Sequence, residues 1–558
     1  MLRPRCGVAV VCLLAVWVAG CHRELDLQVE REIGVRVASK QAPPFVRGVR
    51  WSLVQQVYRD REHRPIWLRG SRPAGRAREL VRAICRSGEE GLRPADYDLA
   101  GLRTALQRLA QTKRPDPAVL ASLDLRLTAM MLGFGTDLLS GRLDPRAVDD
   151  GWYLTTRRSS VDSTLRAALK DDDSPDMLEK LRPKQREYAE LVDALDQYRD
   201  ILRQGGWGMV PAGPPLQRGE RGDRVAALRR RLHATGDLAS EKASDVFDGD
   251  VAGAVARFRV RHGLSADSIA DQPTIGAMNV PVEDRIRQIE VNLDRYRWLP
   301  AEFSRRYILV NIPDFRLYAY DGGKPKLEQR VIVGDQYRSA TPVFADSMTY
   351  LVFRPEWNVP SSILVRELLP RLQDDDHFDL AARGLEVVDS AGRVVKAPSE
   401  IDWHDLDTAD LPYRIRQKPG PANALGRVKF MFPNRFNIYL HDTPSRQLFE
   451  RERRTLSHGC VRVEDPVGLA QFVLDGQKGW NDRTIEQALN DSAEGNRVVS
   501  LERPLPVYLL YLTAFVRDRQ VHFRNDPYGK DRRAMARLER PEPEPPSLCE
   551  EVERLLTK

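Results

Sequence analysis

Ser457-His458-Gly459-Cys460-Val461-Arg462 is the most informative stretch of this chain. Fifteen residues separate it from His441, which lies in the run Tyr439-Leu-His-Asp-Thr443. A cysteine beside a glycine, with a histidine delivered from a preceding strand, supplies a thiol nucleophile and its base. Because the thiolate is the reactive form, we expect a basic or cationic neighbour that lowers the pKa of Cys460.

Two other interpretations of the same residues compete with a nucleophile. A lone cysteine is most often a small buried hydrophobic residue. Cys460, His458 and His441 together are also a candidate set of zinc ligands. Neither interpretation accounts for the whole arrangement of Ser-His-Gly-Cys with a histidine upstream. We therefore predict that Cys460 is a nucleophile and that the protein needs no metal or other cofactor.

The local pattern predicts how these residues are held. Residues 438–441 fit a strand, and side chains two apart share a face, so Tyr439 and His441 are expected to project together. After Cys460, Asp465 and Pro466 are typical of a helix start. The loop before that helix has backbone N–H groups that can face a developing oxyanion. We predict that the backbone of 458–460 forms this oxyanion hole.

The histidine, the gap and the Ser-His-Gly-Cys run resemble the signature of the L,D-transpeptidase family of peptidoglycan enzymes. The short form of that signature ends in Asn, and Arg462 stands there instead, as it often does in the large multidomain members. Residues 414–421 and 424–430 also resemble that large Gram-negative subgroup. The resemblance implies that Cys460 is the nucleophile and that His441 is its base and ion-pair partner. It also implies that a backbone carbonyl just after His441, rather than the Asp442 carboxylate, orients the imidazole.

Further residues are predicted to complete the site. Ser457, His458 and Gly459 are expected to shape the loop around the nucleophile. The candidates for substrate binding are Tyr439, Arg462, Trp357 and Asn358. The planar guanidinium of Arg462 suits a substrate carboxylate, and a salt bridge to Glu464 is the alternative. For Tyr439 the alternative is packing within its strand, while Trp357 and Asn358 lie at a strand end before an interruption of the β pattern.

The reaction implied by the resemblance is acyl transfer. The cysteine attacks the bond between meso-diaminopimelate at position three and the terminal D-alanine of a tetrapeptide stem, and D-alanine leaves. The side-chain amine of another stem then captures the acyl-enzyme, which gives a 3-3 cross-link. Carbapenem-type inhibitors are expected to acylate the same thiol.

Other outcomes stay open at this point. A lipoprotein lysine or water can capture the same acyl-enzyme, and the latter makes the protein an L,D-carboxypeptidase. A non-catalytic lipoprotein that anchors to the wall through its middle module belongs to another class. The intact Cys–His arrangement argues against it.

The N-terminus has the layout of a secretory signal. Arg3 and Arg5 precede an apolar run over 7–19, which is shorter than the roughly 20 residues that span a bilayer. We predict a signal peptide over 1–20, with Val18-Ala-Gly-Cys21 resembling a bacterial lipobox acylated at Cys21. A plain signal peptide or a short signal anchor is the alternative. His22 in place of Asp favours the outer membrane for a periplasmic lipoprotein anchored in this way.

Composition sets the remaining bounds. The chain has 558 residues, enough for three or four domains, with 30% charged residues and a formal net charge of +7. It has no basic run interleaved with aromatic residues, so no nucleic-acid partner is predicted. Cys85, Cys460 and Cys549 are the cysteines beyond the signal, too few for a disulfide framework. Cys85 and Cys549 either pair or remain free thiols.

We predict a multidomain α+β protein. Apolar residues at spacings of three and four over 120–138 indicate a helical scaffold. A Gly/Pro-rich linker follows, and then a pattern that resembles the small three-helix peptidoglycan-binding domain, for which glycan binding and docking are both open. The insertion at about 358–424 is interpreted as a lid, with surface elaboration as the alternative. The predicted order is signal peptide 1–20, tether 21–45, helical scaffold 46–205, peptidoglycan-binding-like domain 206–283, linker helix 284–300, mostly β catalytic domain 301–500, and C-terminal packing segment and tail 501–558.

Overall fold

The computed structural model describes residues 24–46, 48–112, 114–155, 161–170, 178–239, 244–336, 339–374, 378–404, 406, 411–491, 495–538 and 546–557. The predicted signal peptide over 1–20 and the lipidation site Cys21 lie outside these residues. The predicted fold class is confirmed: a helical region, a small helical domain and a mostly β catalytic domain follow one another.

The N-terminal region is a helical domain built around one long helix, Pro117–Ser140. Asp116 caps this helix by accepting a hydrogen bond from the N–H of Ala118, and Pro117 opens its first turn. Among the described residues it is the one helix long and apolar enough to cross a membrane, but 72% of that window is buried inside the protein. It is therefore a core helix, and it packs on Trp51–Asp60, Gly75–Cys85, Leu99–Ala110 and Val161–Lys170. Two further helices of the N-terminal region are Pro145–Val148 and Arg186–Arg203.

The tether predicted for 21–45 is largely helical, so that prediction was wrong. Residues 24–38 form a helix. Val29, Ile33 and Val37 recur every fourth residue along it and are buried in the core of the helical domain. This apolar face explains why the segment packs instead of remaining extended.

The C-terminal helix Pro546–Thr557 also belongs to the helical domain. It packs on Gly75–Cys85 and Leu99–Ala110, and a disulfide joins Cys85 to Cys549 across 464 residues of sequence. The two cysteines therefore pair, and the alternative of free thiols was wrong. The preceding helix Lys530–Arg537 packs instead on the helix Val282–Trp298.

The middle domain consists of the helices Asp223–Ala234, Gly249–Arg261 and Gln272–Met278. Its second helix meets the hairpin formed by Ala514–Arg517 and Gln520–Phe523. Arg261 donates to the carbonyl of Val521 at 2.8 Å, and the His262 ring stacks on both Phe258 and Phe523. These contacts support the docking interpretation, while glycan binding stays a prediction.

The segment predicted as a linker helix is a core element. The helix Val282–Trp298 packs on Arg186–Arg203, on Pro117–Ser140 and on Lys530–Arg537. Thirteen of its residues are buried, among them the ion pair between Asp294 and Arg297, whose side chains are both 0% exposed. The helix therefore ties the helical domain to the catalytic domain.

The catalytic domain is a closed sheet of nine strands: β1 (Arg306–Asn311), β2 (Arg316–Asp321), β3 (Lys324–Gly334), β4 (Phe344–Phe353), β5 (Val428–Met431), β6 (Leu440–His441), β7 (Thr455–Ser457), β8 (Val461–Val463) and β9 (Arg497–Leu510). Their order across the sheet is β7-β3-β8-β6-β5-β4-β9-β1-β2. A further pairing of β2 with β3 closes the sheet. Strand β9 runs through the boundary predicted at 500, because its apolar second half continues the sheet instead of packing on it.

The predicted insertion, called the cap below (358–424), has a small core of its own. Tyr413–Gln417 is the middle strand of a three-stranded sheet, between Trp357–Asn358 and Leu385–Asp389. Ser361–Ile363, the π-helical turn Leu364–Leu368 and the helix Leu369–Asp374 form a helical segment beside that core. This segment lies at the mouth of the cavity described next.

Candidate active site

Strand register brings five side chains to one face of the sheet. Lys429 on β5 pairs with His441 on β6, and His441 pairs with Arg462 on β8. Cys460 and Tyr439 each lie two residues before a member of this row. The predicted nucleophile and base therefore lie on the same surface, with one cation on each side of the histidine.

The imidazole of His441 is fixed by the backbone. Its Nδ1–H donates to the carbonyl of Asp442 at 2.6 Å, which leaves Nε2 as the basic nitrogen. The Asp442 carboxylate accepts from the N–H groups of Thr443 and Arg427, at 2.7 and 2.8 Å. It therefore holds the turn and does not orient the ring. This geometry agrees with the role that the family resemblance implied for the backbone carbonyl.

Burial favours the neutral forms of the predicted catalytic pair. Together with the nearby charges of Arg462 and Lys429, it lowers the pKa of His441 to about 3. Burial also raises the pKa of the Cys460 thiol, against the opposing effects of Tyr439 and the two cations. The thiolate–imidazolium ion pair expected at rest is therefore disfavoured.

The loop 457–460, called the catalytic loop below, is closed by its own side chain. The Ser457 hydroxyl donates to the carbonyl of Cys460 at 2.5 Å and accepts from the N–H of Gly459 at 3.2 Å. The N–H of Gly459 is thus engaged in this structure, and the oxyanion hole over 458–460 stays a prediction. The N–H groups of His458 and Cys460 remain the candidates. Gly459 has φ +110°, and a Cβ there would lie 3.2 Å from Ile438 Cδ1.

Hydrogen bonds from behind support this loop. The buried Thr341 hydroxyl donates to the carbonyl of Gly459 at 2.7 Å and accepts from the N–H of Gly334 at 2.9 Å. Tyr528, from the C-terminal segment, donates to the carbonyl of Gly334 at 2.7 Å. The position of Gly459 therefore depends on elements far from it in sequence.

The face of the sheet opens into a cavity of about 900 Å³. Gly459 faces an adjoining cavity of about 520 Å³ instead. All the other described residues that the sequence singled out line the larger cavity: Trp357, Asn358, Tyr439, His441, Ser457, His458, Cys460 and Arg462.

Arg462 is not used as a salt-bridge partner of Glu464. The Glu464 carboxylate instead accepts from Arg330 Nε at 3.0 Å, so that alternative was wrong. Arg462 Nε is buried with no hydrogen-bond partner among the described residues. The guanidinium thus has unused donors inside the cavity.

Sequence reasoning missed several residues that line this cavity, among them Lys429 and Glu367. The Lys429 ammonium lies 3.8 Å from the centroid of the Tyr439 ring, a cation–π contact. The position of Lys429 depends on the pairing of β5 with β6, which no local sequence pattern predicts. Glu367, in the π-helical turn of the cap, lies 2.5 Å from His458 Nε2. In the described part of the chain, no group of three or more His, Cys, Asp or Glu residues is arranged to hold a metal ion.

Comparison with known proteins assigns the three regions. Residues 305–484 match the model of the L,D-transpeptidase catalytic domain. Residues 52–195 match a model described as "Scaffold domain", and residues 221–278 match one described as "Putative peptidoglycan binding domain". The chain therefore contains a region that matches the L,D-transpeptidase catalytic domain and another that matches a peptidoglycan-binding domain.

Individual proteins are also similar to this chain. A "Putative L,D-transpeptidase" of Haemophilus influenzae is 37% identical over 246 residues, which cover 44% of this chain and 48% of that protein. The match thus spans about half the length of the relative. Solved L,D-transpeptidase structures from Xylanimonas cellulosilytica and Stackebrandtia nassauensis are 17% and 14% identical, with TM-scores of 0.17 and 0.22. Each covers 54% of this chain, and the matches cover 99% and 97% of the solved chains.

Proposed function

We propose that this protein is a peptidoglycan L,D-transpeptidase that forms 3-3 cross-links through an acyl-enzyme on Cys460. The observation that carries the proposal is the shared face of Cys460 and His441, with Nδ1 of the histidine bound to the Asp442 carbonyl. This tautomer presents a basic Nε2 to the cavity that the thiol lines. The donor is a tetrapeptide stem of peptidoglycan.

The reaction needs two attacks at one carbonyl. Cys460 attacks the carbonyl at position three of the donor while its proton moves to His441 Nε2. The tetrahedral intermediate collapses to a thioester, and the departing D-alanine amine takes that proton. The amine of an acceptor stem then attacks the thioester and loses a proton to Nε2, which returns to the thiolate sulfur as the cross-linked product leaves. The N–H groups of His458 and Cys460 are the proposed donors to the oxyanion.

The substrate contacts follow from the free groups of the cavity. Arg462 has unused donors there and is proposed to bind a carboxylate of the stem. Tyr439 adjoins the sulfur, and both its backbone and its side chain lower the pKa of Cys460. Trp357 and Asn358, at the root of the cap, are proposed to contact the peptide.

The cap is proposed to act as a lid that holds the donor and excludes water from the thioester. The contact that supports this role is Glu367 with His458, because it joins the cap directly to the catalytic loop. Glu367→Gln should weaken this contact and raise the ratio of hydrolysed tripeptide to cross-linked dimer. Glu400→Gln, an exposed substitution elsewhere in the cap, is the matched control.

A larger deletion tests the same role. Replacing 365–415 by a short Gly-Ser loop should lower cross-linking more than it lowers acylation by a small carbapenem, which needs only the thiol, the base and the catalytic loop. A folded deletion variant with the parent product ratio would leave the cap a surface elaboration.

The acceptor separates this function from its alternatives. Purified disaccharide-tetrapeptides should give dimers joined between two position-three residues, identified by mass spectrometry. Cys460→Ala should give no product, and His441→Ala should lose activity by roughly 100-fold or more. Free tripeptide alone would indicate an L,D-carboxypeptidase, and product only with an added lipoprotein would indicate protein attachment. If Cys460→Ala binds the wall as well as the parent protein does, and the parent protein turns over no substrate, the protein is a non-catalytic anchor.

We also propose that the protein is periplasmic and carries a lipid anchor at Cys21. His22, in place of Asp, favours the outer membrane over the inner membrane for this anchor. The support is the lipobox-like run together with the peptidoglycan-related domains. A palmitate analogue should label the parent protein and not Cys21→Ala. Equal labelling of the two would refute the anchor.

A further inference from the structure

The floor of the active-site cavity, around His441, carries two cations and no described anion beside them. Lys429 and Arg462 flank His441, and both are partly buried. Among the described residues, Cys460 is the one group whose negative charge would offset either cation. Because burial raises the pKa of this thiol, it is neutral at pH 7 and supplies no negative charge.

The other charges at the cavity do not change this balance. Glu367 contacts His458 at the mouth, and Arg366 beside it adds a positive charge. The Asp442 carboxylate binds backbone N–H groups of Thr443 and Arg427. A bound substrate must therefore bring the negative charge that the floor of the cavity lacks.

The Lys429 ammonium lies close to Cys460, the proposed nucleophile. Its ammonium lies 3.8 Å from the Tyr439 ring centroid, and Tyr439 itself adjoins the Cys460 sulfur. Burial lowers the pKa of Lys429, since the charged form has lost solvent without gaining a carboxylate. A partly buried ammonium without a counter-charge is stabilised when a carboxylate binds to it.

We propose that Lys429 is a specificity-determining residue that binds a carboxylate of the donor stem. Arg462 lies on the opposite side of His441, so the two cations bind different carboxylates. The inference rests on the proposed function. Two groups of a tetrapeptide donor have the required chemistry: the terminal carboxylate of the leaving residue and the side-chain carboxylate of the diamino acid at position three.

Binding to the Cys460→Ala protein tests the proposal without turnover. The ligands are a disaccharide-tetrapeptide, the same compound with its terminal carboxylate amidated, and the same compound with its side-chain carboxylate amidated. Adding Lys429→Met should raise the Kd of the parent ligand about tenfold or more, as expected for loss of a charge-assisted hydrogen bond. It should change the Kd of one amidated ligand less than twofold, and that ligand identifies the carboxylate. Lys429→Arg should restore most of the affinity.

Two outcomes overturn the inference. A Lys429→Met effect of equal size on all three ligands would assign the lysine to the general shape of the cavity. No effect on any ligand would also refute it. Lys326→Met, at an exposed position of β3, is the control and should bind all three ligands like the parent. Failure of the parent protein to bind or turn over any donor would instead refute the proposed function.

Discussion

The hydroxyl of Thr341 is the group through which the core of the catalytic domain holds Gly459. We expect Thr341→Val to loosen the catalytic loop while keeping the volume of the side chain. The substitution leaves two buried backbone groups without a partner, the carbonyl of Gly459 and the N–H of Gly334. Each loss costs about 1–3 kcal/mol, so the catalytic loop should lose about 3 kcal/mol of local stability.

Hydrogen exchange and steady-state kinetics measure the two consequences. A loss of about 3 kcal/mol corresponds to roughly 100-fold less protection of the amides next to Cys460. The kcat should fall at least tenfold, because a small displacement of the nucleophile disturbs its approach to the carbonyl. Thr341→Ser keeps the hydroxyl and is the matched control, with a cost of about 1 kcal/mol for the lost methyl group. Equal protection and equal kcat in the two variants would refute the reasoning.

Three further results are expected. The rate of Cys460 alkylation by iodoacetamide, followed on the peptide that contains Cys460, should have its midpoint above pH 9, because burial raises the pKa of the thiol. Arg462→Met should raise this midpoint further, since the cation opposes the effect of burial. A midpoint near pH 6 would contradict the neutral pair. Replacing Cys85 and Cys549 by Ser should lower the stability of the helical domain by a few kcal/mol, since the disulfide closes a loop of 464 residues, and reductant should bring the parent Tm to that of the variant. A carbapenem should add one mass increment to the parent protein and none to Cys460→Ala, as seen by intact-protein mass spectrometry.

The local chemistry of this site was readable from sequence. The Ser-His-Gly-Cys run with its upstream histidine led to Cys460 and His441, which the structure brings to one cavity, and alternation over a short strand placed Tyr439 beside His441. These predictions depend on neighbours in the chain, where the periodicity of a strand fixes which side chains share a face. The backbone carbonyl on His441 came from the family resemblance, and the geometry agrees with it.

Long-range contacts were not readable in the same way. Lys429 reaches the site because β5 pairs with β6, and Thr341 reaches Gly459 from 118 residues away. The C-terminal helix returns to the helical domain, and the helix Val282–Trp298 is buried on several sides although its sequence resembles a connector. In each case tertiary packing, which leaves no local periodicity, decides the position.

The most direct test of the central claim is the mass of the protein during reaction with a donor. A disaccharide-tetrapeptide whose side-chain amine is acetylated, so that it cannot act as an acceptor, should add to the parent protein the mass of the donor less one D-alanine, and the added group should map to Cys460. The adduct should disappear when an acceptor stem is added, and dimer should appear in its place. Cross-linking by Cys460→Ala, or turnover of the parent protein with no adduct on Cys460 at any time, would contradict the account.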